Sequence, residues 1–265
     1  MARSRRGSLV VVGTGITGVN QITLEALAAI ETADRLFYIA NDPVTEAWLR
    51  FRNASAATLS DLYARGKPRH TTYADMAARV VLAVEGGADV CVAVYGHPGI
   101  FVQFSHVAIK HLRRRGYAAR MLPGVSADGC LFADVGFNPG DYGVQSFEAT
   151  DFLLHRRRFD PTSALLLWQV GVLGESDLQI TRKRRPERLQ RLVTSLRRFY
   201  PARHPVTLYR SNTFPGQTPT ITRVALSRVT GLRISPIATM YVPPLAQRRP
   251  AREVLAWLEE GVSRS

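Results

Sequence analysis

The stretch Ala88-Asp-Val-Cys-Val-Ala-Val-Tyr95-Gly-His-Pro-Gly-Ile-Phe101 decides the fold. Its apolar run is long enough for one strand, shows no polar alternation, and stops at a loop carrying two glycines and a proline. Such a strand is buried on both faces, which is the signature of a parallel sheet covered by helices. Outward from it, ADMAARVVLAVEGG (74–87) reads as an amphipathic helix closed by glycines. HVAIKHLRRRG (106–116) reads as a helix with cations and glycine at its C-terminus, and YAARMLPG (117–124) as the next strand. Upstream, Ser8–Val12 and RLFYIA (35–40) read as strands on either side of the helical ITLEALAAIETAD (22–34). Strands alternating with helices predict an α/β fold with a mostly parallel sheet wrapped on both faces.

From Val125 onward the same vocabulary repeats. ALLLWQV (164–170), HPVTLYRS (204–211) and ISPIATMYVPP (234–244) read as strands, PERLQRLVTSLRRFY (186–200) as an amphipathic helix, and RPAREVLAWLEEGV (249–262) as a closing helix with Pro250 near its start. No internal repeat or low-complexity linker separates the halves. The expected division is an N-terminal α/β domain over 1–124, a C-terminal α/β domain over 125–247 and a helix over 248–265.

The 265 residues are 46% hydrophobic and 21% charged, which excludes wholesale disorder. No apolar run reaches the roughly 20 residues of a membrane span, and the N-terminus has no cleavage site, so a cytoplasmic location is expected. Cys91 and Cys130 stand in apolar stretches without partners at metal-ligand spacing, and read as buried small hydrophobes; no metal site is expected. Lys and Arg number 35 against 21 acidic residues, a net charge of +14, and all but three of the cations are arginine. This excess reads either as a surface for an acidic partner, nucleic acid or polypeptide, or as arginine written for lysine by a GC-rich genome. Its clustering at Arg156–Arg158 and again from Arg182 to Arg191 tilts toward a partner.

Gly13-Thr-Gly15-Ile-Thr-Gly18 matches the GxGxxG dinucleotide pattern, but the carboxylate required at the end of the second strand is misplaced: Asp34 precedes that strand and Asp42 follows it late. A tight strand-to-helix turn is the preferred reading. The loop Tyr95–Phe101 is the better site candidate, since ligands of open α/β sheets gather beyond the carboxyl ends of strands. Pro123-Gly124-Val125-Ser126-Ala127 forms a similar loop after the next strand. His97 by itself reads as a satisfied loop histidine. Glu148 and Asp151 are spaced either as an acid pair or as a solvated helix N-terminus, and no catalytic role is assigned to them.

The Gly13–Gly18 turn, Tyr95–Phe101, Leu122–Ala127, Trp168–Gly171 and Ala238–Pro244 occur in the order seen in the tetrapyrrole methylase superfamily, the class III S-adenosylmethionine-dependent methyltransferases. NDPVTEAWL, KPRHTTY, YGHPGIFV, MLPGVSADGCLFADVGFNPG, FEATDFL and WQVGVLG resemble one branch, the borosin peptide backbone α-N-methyltransferases. The resemblance covers nearly the whole chain. It implies two Rossmann-like α/β domains with S-adenosylmethionine in the cleft between them, S-adenosylhomocysteine as product, and a homodimer. It further implies cofactor contacts from Tyr95, His97, Gly99, Ile100, Ser126, Ala127, Gln169 and Thr239.

A peptide nitrogen is a poor nucleophile because its lone pair is delocalised into the carbonyl. Methylating it requires removal of the N–H proton and stabilisation of the imidate oxygen. Tyr63, Arg69 and Tyr73 supply suitable groups, and Tyr73 shares a helical face with Arg69 if that helix begins by Thr71. Spacing alone also fits loop tyrosines that merely pack; the resemblance assigns Arg69 to the peptide oxygen, Tyr73 to the general base and Tyr63 to positioning the amide or sharing the proton. Fused borosin enzymes carry a further tyrosine near the position of Ser60. They also carry a long extension ending in their own core peptide, whereas this sequence ends at Ser265, about 20 residues past Pro244. A separate, acidic, ribosomally made precursor peptide, drawn to the arginine clusters, is therefore the expected substrate. A tetrapyrrole (precorrin) methylase and a ribosomal RNA methylase are the alternatives within the superfamily. A nucleic-acid-binding module without catalysis explains the charge but not the glycine loops.

Overall fold

The computed structural model describes residues 6–175, 186–214, 216–246 and 251–262. Residue contacts divide the chain into two compact units, one of Met1–Phe137, Gly174–Arg184 and Tyr209–Ile221, the other of Asn138–Leu173, Arg185–Leu208 and Thr222–Ser265.

In the first unit, strands β1 (Ser8–Gly13), β2 (Arg35–Ile39), β3 (Ala57–Thr58), β4 (Asp89–Val94) and β5 (Ala118–Met121) form a sheet in the order β3-β2-β4-β1-β5. Every pair in it is parallel. Helices α1 (Leu24–Thr32), α2 (Pro43–Arg52), α3 (Arg69–Glu85) and α4 (Gln103–Arg114) connect the strands. The apolar run of β4 is explained by its two buried faces. Val90, Val92 and Val94 pack into one hydrophobic cluster with Val80, Val84 and Leu112. Cys91 and Ala93, one step out of phase, pack into another with Ile30 and Leu49. At roughly 1.5–3 kcal/mol for each fully buried branched side chain, this central strand anchors the sheet whose carboxyl ends carry the candidate site. Both cysteines are buried and free, and burial pushes the Cys91 thiol up to about 12.

The sequence does not reveal α2. Asp42, which looked like a misplaced dinucleotide carboxylate, is its N-cap, accepting from the Thr45 amide at 2.8 Å, with Pro43 in the first turn. The helix expected from residue 74 begins instead at Arg69, directly after Pro68. Helix α5 (Ala127–Val135) follows the second glycine loop.

The second unit contains α6 (Pro139–Tyr142), β6 (Val144–Glu148), α7 (Ala149–Leu154), β7 (Ala164–Trp168), α8 (Pro186–Leu196), β10 (Thr239–Val242) and α9 (Arg252–Val262). With β8 (Pro205–Arg210) and β9 (Thr220–Ala225) the strands form a sheet in the order β6-β7-β10-β8-β9. This sheet is mixed: β6 and β7 are parallel, but β10 runs antiparallel to β7. The strand expected over ISPIATMYVPP is confined to Thr239–Val242, because Ser235 accepts the Ala238 amide in a tight turn. Glu148 caps α7 by accepting from the Asp151 amide at 2.7 Å, so the helix-terminus reading of that pair holds. Helix α7 ends with Arg156 at φ 46°, its amide on Leu153 and that of Arg157 on Phe152. That is a Schellman closure whose left-handed position usually holds glycine. No helix among the described residues is long and apolar enough to cross a membrane.

Candidate functional site

Three loops converge at the carboxyl ends of β1, β4 and β5. Gly13, Gly96 and Gly124 touch one another, and a Cβ placed on Gly13 would lie 2.2 Å from the Gly96 carbonyl oxygen and 3.3 Å from the Gly124 Cα. These glycines exist so that the loops can interlock. The Gly96 amide donates to the Gly15 carbonyl at 2.9 Å, which fixes the loop after β4 onto the turn after β1.

That turn is not built for pyrophosphate. The side-chain carbonyl of Gln21 accepts from the amides of Ile16 at 2.7 Å and Thr17 at 3.0 Å. The donors that a dinucleotide fingerprint presents to phosphate are thus used internally. A 3₁₀ turn, Gly18–Gln21, carries the glutamine into place before α1.

The loops after β4 and β5 hold six of the expected cofactor residues. His97 Nδ1 accepts the Gly99 amide at 3.0 Å, and the Gly99 carbonyl oxygen lies 2.9 Å from His106 Nε2, so His97 is the satisfied loop histidine its sequence suggested. Phe101 closes the loop at φ 57°, a left-handed conformation uncommon outside glycine. Burial first, and then Cys130, push the Tyr95 phenol up to about 12, so it is a neutral hydrogen-bond donor. Ser126 occupies the N-cap of α5 without capping it, its hydroxyl bonding the Asp128 carboxylate instead. The same carboxylate accepts the Gly129 amide at 2.8 Å, so Asp128 takes over the capping of α5 from Ser126. Gln169 and Thr239 belong to the second unit, where Gln169 is left-handed at φ 58° after β7 and Thr239 is buried at the start of β10. Gly171 beside Gln169 is obligatory, since a Cβ there would stand 2.0 Å from the Ser235 carbonyl oxygen. No group of His, Cys, Asp or Glu among the described residues could hold a metal ion.

A second constellation lies at the start of α3. Because that helix begins at Arg69, Arg69 and Tyr73 are one turn apart on one face. Tyr63 and Tyr73 both pack on the core beneath α3. Burial pushes the Tyr63 phenol up to about 12; the neighbouring Tyr73 phenol reinforces the shift, and Arg69 opposes it. The three residues are therefore one electrostatic unit. Arg69 is placed against elementary preference, as a cation in the first turn of a helix that has no acidic residue there. Its neighbours Lys67 and Arg79 are paired with Asp75 at 2.6 Å and Asp61 at 2.8 Å. The Nε of Arg69 is buried with no partner among the described residues. A half-buried guanidinium at the start of a helix, with its Nε unpartnered among the described residues, has a donor that could serve a ligand oxygen. Ser60 lies in a short 3₁₀ turn, Ser60–Leu62, just before Tyr63.

Residues 8–227 match the family described as Tetrapyrrole (Corrin/Porphyrin) Methylases, and the chain belongs to that family. It is 39% identical over 261 residues to a methyltransferase/ribosomally synthesized cyclic peptide gymnopeptides precursor of Gymnopus fusipes, covering 97% of this chain and 62% of the relative. To a methyltransferase/ribosomally synthesized type III borosin cyclic peptide precursor of Anomoporia bombycina it is 42% identical over 246 residues, 91% of this chain and 28% of the relative. The chain thus spans less than two thirds of the length of these curated relatives. Among solved structures, uroporphyrin-III-C-methyltransferase from Thermus thermophilus superposes with a TM-score of 0.64 at 20% identity, over 90% of this chain and 92% of that one. Diphthine synthase superposes with a TM-score of 0.61 at 15% identity, over 91% and 92%. These structures share the fold.

Proposed function

We propose that the protein is an S-adenosylmethionine-dependent methyltransferase that N-methylates backbone amides of a ribosomally made precursor peptide. The observation that carries the reading is the Tyr63, Arg69 and Tyr73 unit, with the unpartnered Arg69 Nε at its centre. The relatives support the substrate class, since their descriptions join a methyltransferase to a cyclic peptide precursor. Delivery of the precursor as a separate chain to a homodimer is part of the same proposal.

Tyr95, His97, Gly99, Ile100, Ser126 and Ala127, with Gln169 and Thr239, are proposed to hold the cofactor. The residues of the first unit suit it: the glycine loops leave backbone groups accessible beside the Asp128 carboxylate at the start of α5, and the neutral Tyr95 hydroxyl donates without adding charge. When bound, the cofactor supplies a sulfonium methyl, an electrophile that demands only an in-line nucleophile.

The rest of the chemistry falls to the chain itself. The Arg69 guanidinium donates to the peptide oxygen, where negative charge grows as the amide becomes an imidate. Fixing the oxygen in this way makes the adjacent N–H more acidic, and Tyr73 Oη, acting as the phenolate, takes its proton and becomes the phenol. The Tyr63 hydroxyl, held protonated by burial, lies beside Tyr73 and positions it. The test is to incubate the protein with S-adenosylmethionine and a peptide of acidic leader and apolar core, and to locate added methyl groups by fragmentation mass spectrometry. Methyl groups on backbone nitrogens support the reading, and transfer to a tetrapyrrole or to RNA in its place would refute it.

A further inference from the structure

The second unit contains a groove of about 940 Å³ between the C-terminal end of α7 and the exposed face of α8. Its rim carries Arg156, Arg158, Arg191 and Arg198, all exposed and none with a carboxylate partner among the described residues. Arg157 beside them is different, being held by Asp151 at 2.8 Å. Of the second arginine run expected from the sequence, Arg182, Lys183, Arg184 and Arg185 lie outside the described residues, and Arg188 is turned onto the Leu173 carbonyl at 2.8 Å. Among the described residues of that run, Arg191 reaches the groove.

The floor is apolar. Phe159 is flanked by Phe152 at 5.7 Å and Phe199 at 4.8 Å between ring centroids, and it stacks on Tyr200 at 6.0 Å. These rings are engaged with one another, so they form a greasy surface rather than a free platform for bases to stack on. Phe199 is still 48% exposed, which leaves apolar area uncovered at the mouth. Arg156 occupies the left-handed closing position of α7, which glycine adopts more readily.

We propose that this groove, built from residues other than those assigned to methyl transfer, captures an acidic, partly apolar segment of the precursor peptide. The proposal rests on the peptide-substrate reading above and identifies the part of the peptide that is recognised rather than modified. Unpaired cations around an apolar trough match carboxylates interleaved with leucine or phenylalanine. Phosphate alone would use the rim and leave the floor uncovered. The field of four unpaired arginines would also speed encounter and make binding salt-dependent.

The test is fluorescence anisotropy on the full chain without cofactor, so that failure of methyl transfer and failure of docking are separate results. The probe is a labelled synthetic peptide of glutamate, leucine and phenylalanine. A peptide with lysine for each glutamate, one with serine for each apolar residue, and single-stranded oligouridine serve as competitors. The acidic peptide should bind, and Arg191→Glu combined with Arg198→Glu should weaken it by roughly tenfold or more. Arg114→Glu, an exposed and unpaired site on α4, should change it by less than about twofold if recognition is local. Phe199→Ser tests the floor independently of charge and should also weaken binding. Thermal unfolding confirms that each variant is folded. Equal losses from Arg114→Glu and the groove variants would reduce the effect to net charge and overturn the proposal. So would oligouridine binding more tightly than the peptide through the same arginines, or no binding of the acidic peptide at low salt.

Discussion

Replacing Gly13 with alanine should disable the cofactor loops without touching any residue assigned to binding or chemistry. The new Cβ would stand 2.2 Å from the Gly96 carbonyl oxygen, 2.9 Å from Pro98 Cδ and 3.3 Å from the Gly124 Cα. Two of those atoms are backbone and the third is a proline ring, so no side chain can rotate away. Relief requires the loop after β4 to move by about 1 Å, to reach ordinary contact distance, and an overpacked position of this kind costs about 1–3 kcal/mol. At about 2–4 °C per kcal/mol for a unit of this size, the melting temperature should fall by roughly 2–12 °C. The same displacement moves Tyr95, His97 and Gly99, so affinity for S-adenosylhomocysteine should drop by about tenfold or more, some 1.4 kcal/mol. Gly129→Ala is the matched control. It lies inside α5 beside the same loops, its φ is not positive, and its nearest neighbour would be Ser126 Oγ at 4.0 Å. Alanine there should be neutral or stabilising by about 0.5–1 kcal/mol. Differential scanning calorimetry and titration calorimetry measure both variants. A Gly13→Ala protein as stable as the parent, with unchanged affinity, would refute the argument that loop interlocking builds the cofactor site.

Other expectations follow from the two constellations. Arg69→Ala and Tyr73→Phe should each lower peptide turnover by about 100-fold or more while leaving cofactor affinity nearly intact, measured by steady-state kinetics beside calorimetry; Tyr63→Phe should be milder. Gln21→Leu should leave the Ile16 and Thr17 amides without their acceptor and destabilise the first unit by about 1–3 kcal/mol in urea unfolding; an unchanged midpoint would show that solvent satisfies them. Tyr63 and Tyr95 both have folded values raised to about 12. Their stabilising contribution is fully present below the ordinary phenol value near 10, and is lost as pH rises from there through 12. Each steepens the loss by up to about 1.4 kcal/mol per pH unit, so Tyr95→Phe should flatten the alkaline limb of stability against pH.

Much of the first unit was legible because one physical pattern repeats there. A strand buried on both faces, as in Val90–Val94, cannot alternate with polar residues, and its helices must then carry the amphipathic signal. The shared face of Arg69 and Tyr73 was also readable, given the helix start. Other features leave no periodic trace. Helix α2 hides behind Asp42, which reads as a misplaced dinucleotide carboxylate until it is seen capping the Thr45 amide. Strand direction in the second sheet is invisible in Thr239–Val242, since a short, fully buried run looks the same parallel or antiparallel. The role of Gln21 depends on a 3₁₀ turn folding it back onto the Gly13–Gly18 amides, and GxGxxG alone predicts the opposite use. Side-chain pairing is equally silent, so sequence could not separate Arg69, left without a partner, from Arg79 on Asp61.

The central claim is that this chain moves a methyl group from S-adenosylmethionine to a peptide backbone nitrogen. Its most direct test is tandem mass spectrometry of the leader-and-core peptide after incubation with the cofactor, comparing the parent enzyme with Tyr73→Phe. Methyl groups placed on backbone amides by the parent and nearly abolished in the variant are the expected result. Methyl groups on side chains only, or backbone methylation that Tyr73→Phe leaves at the parental rate, would contradict it.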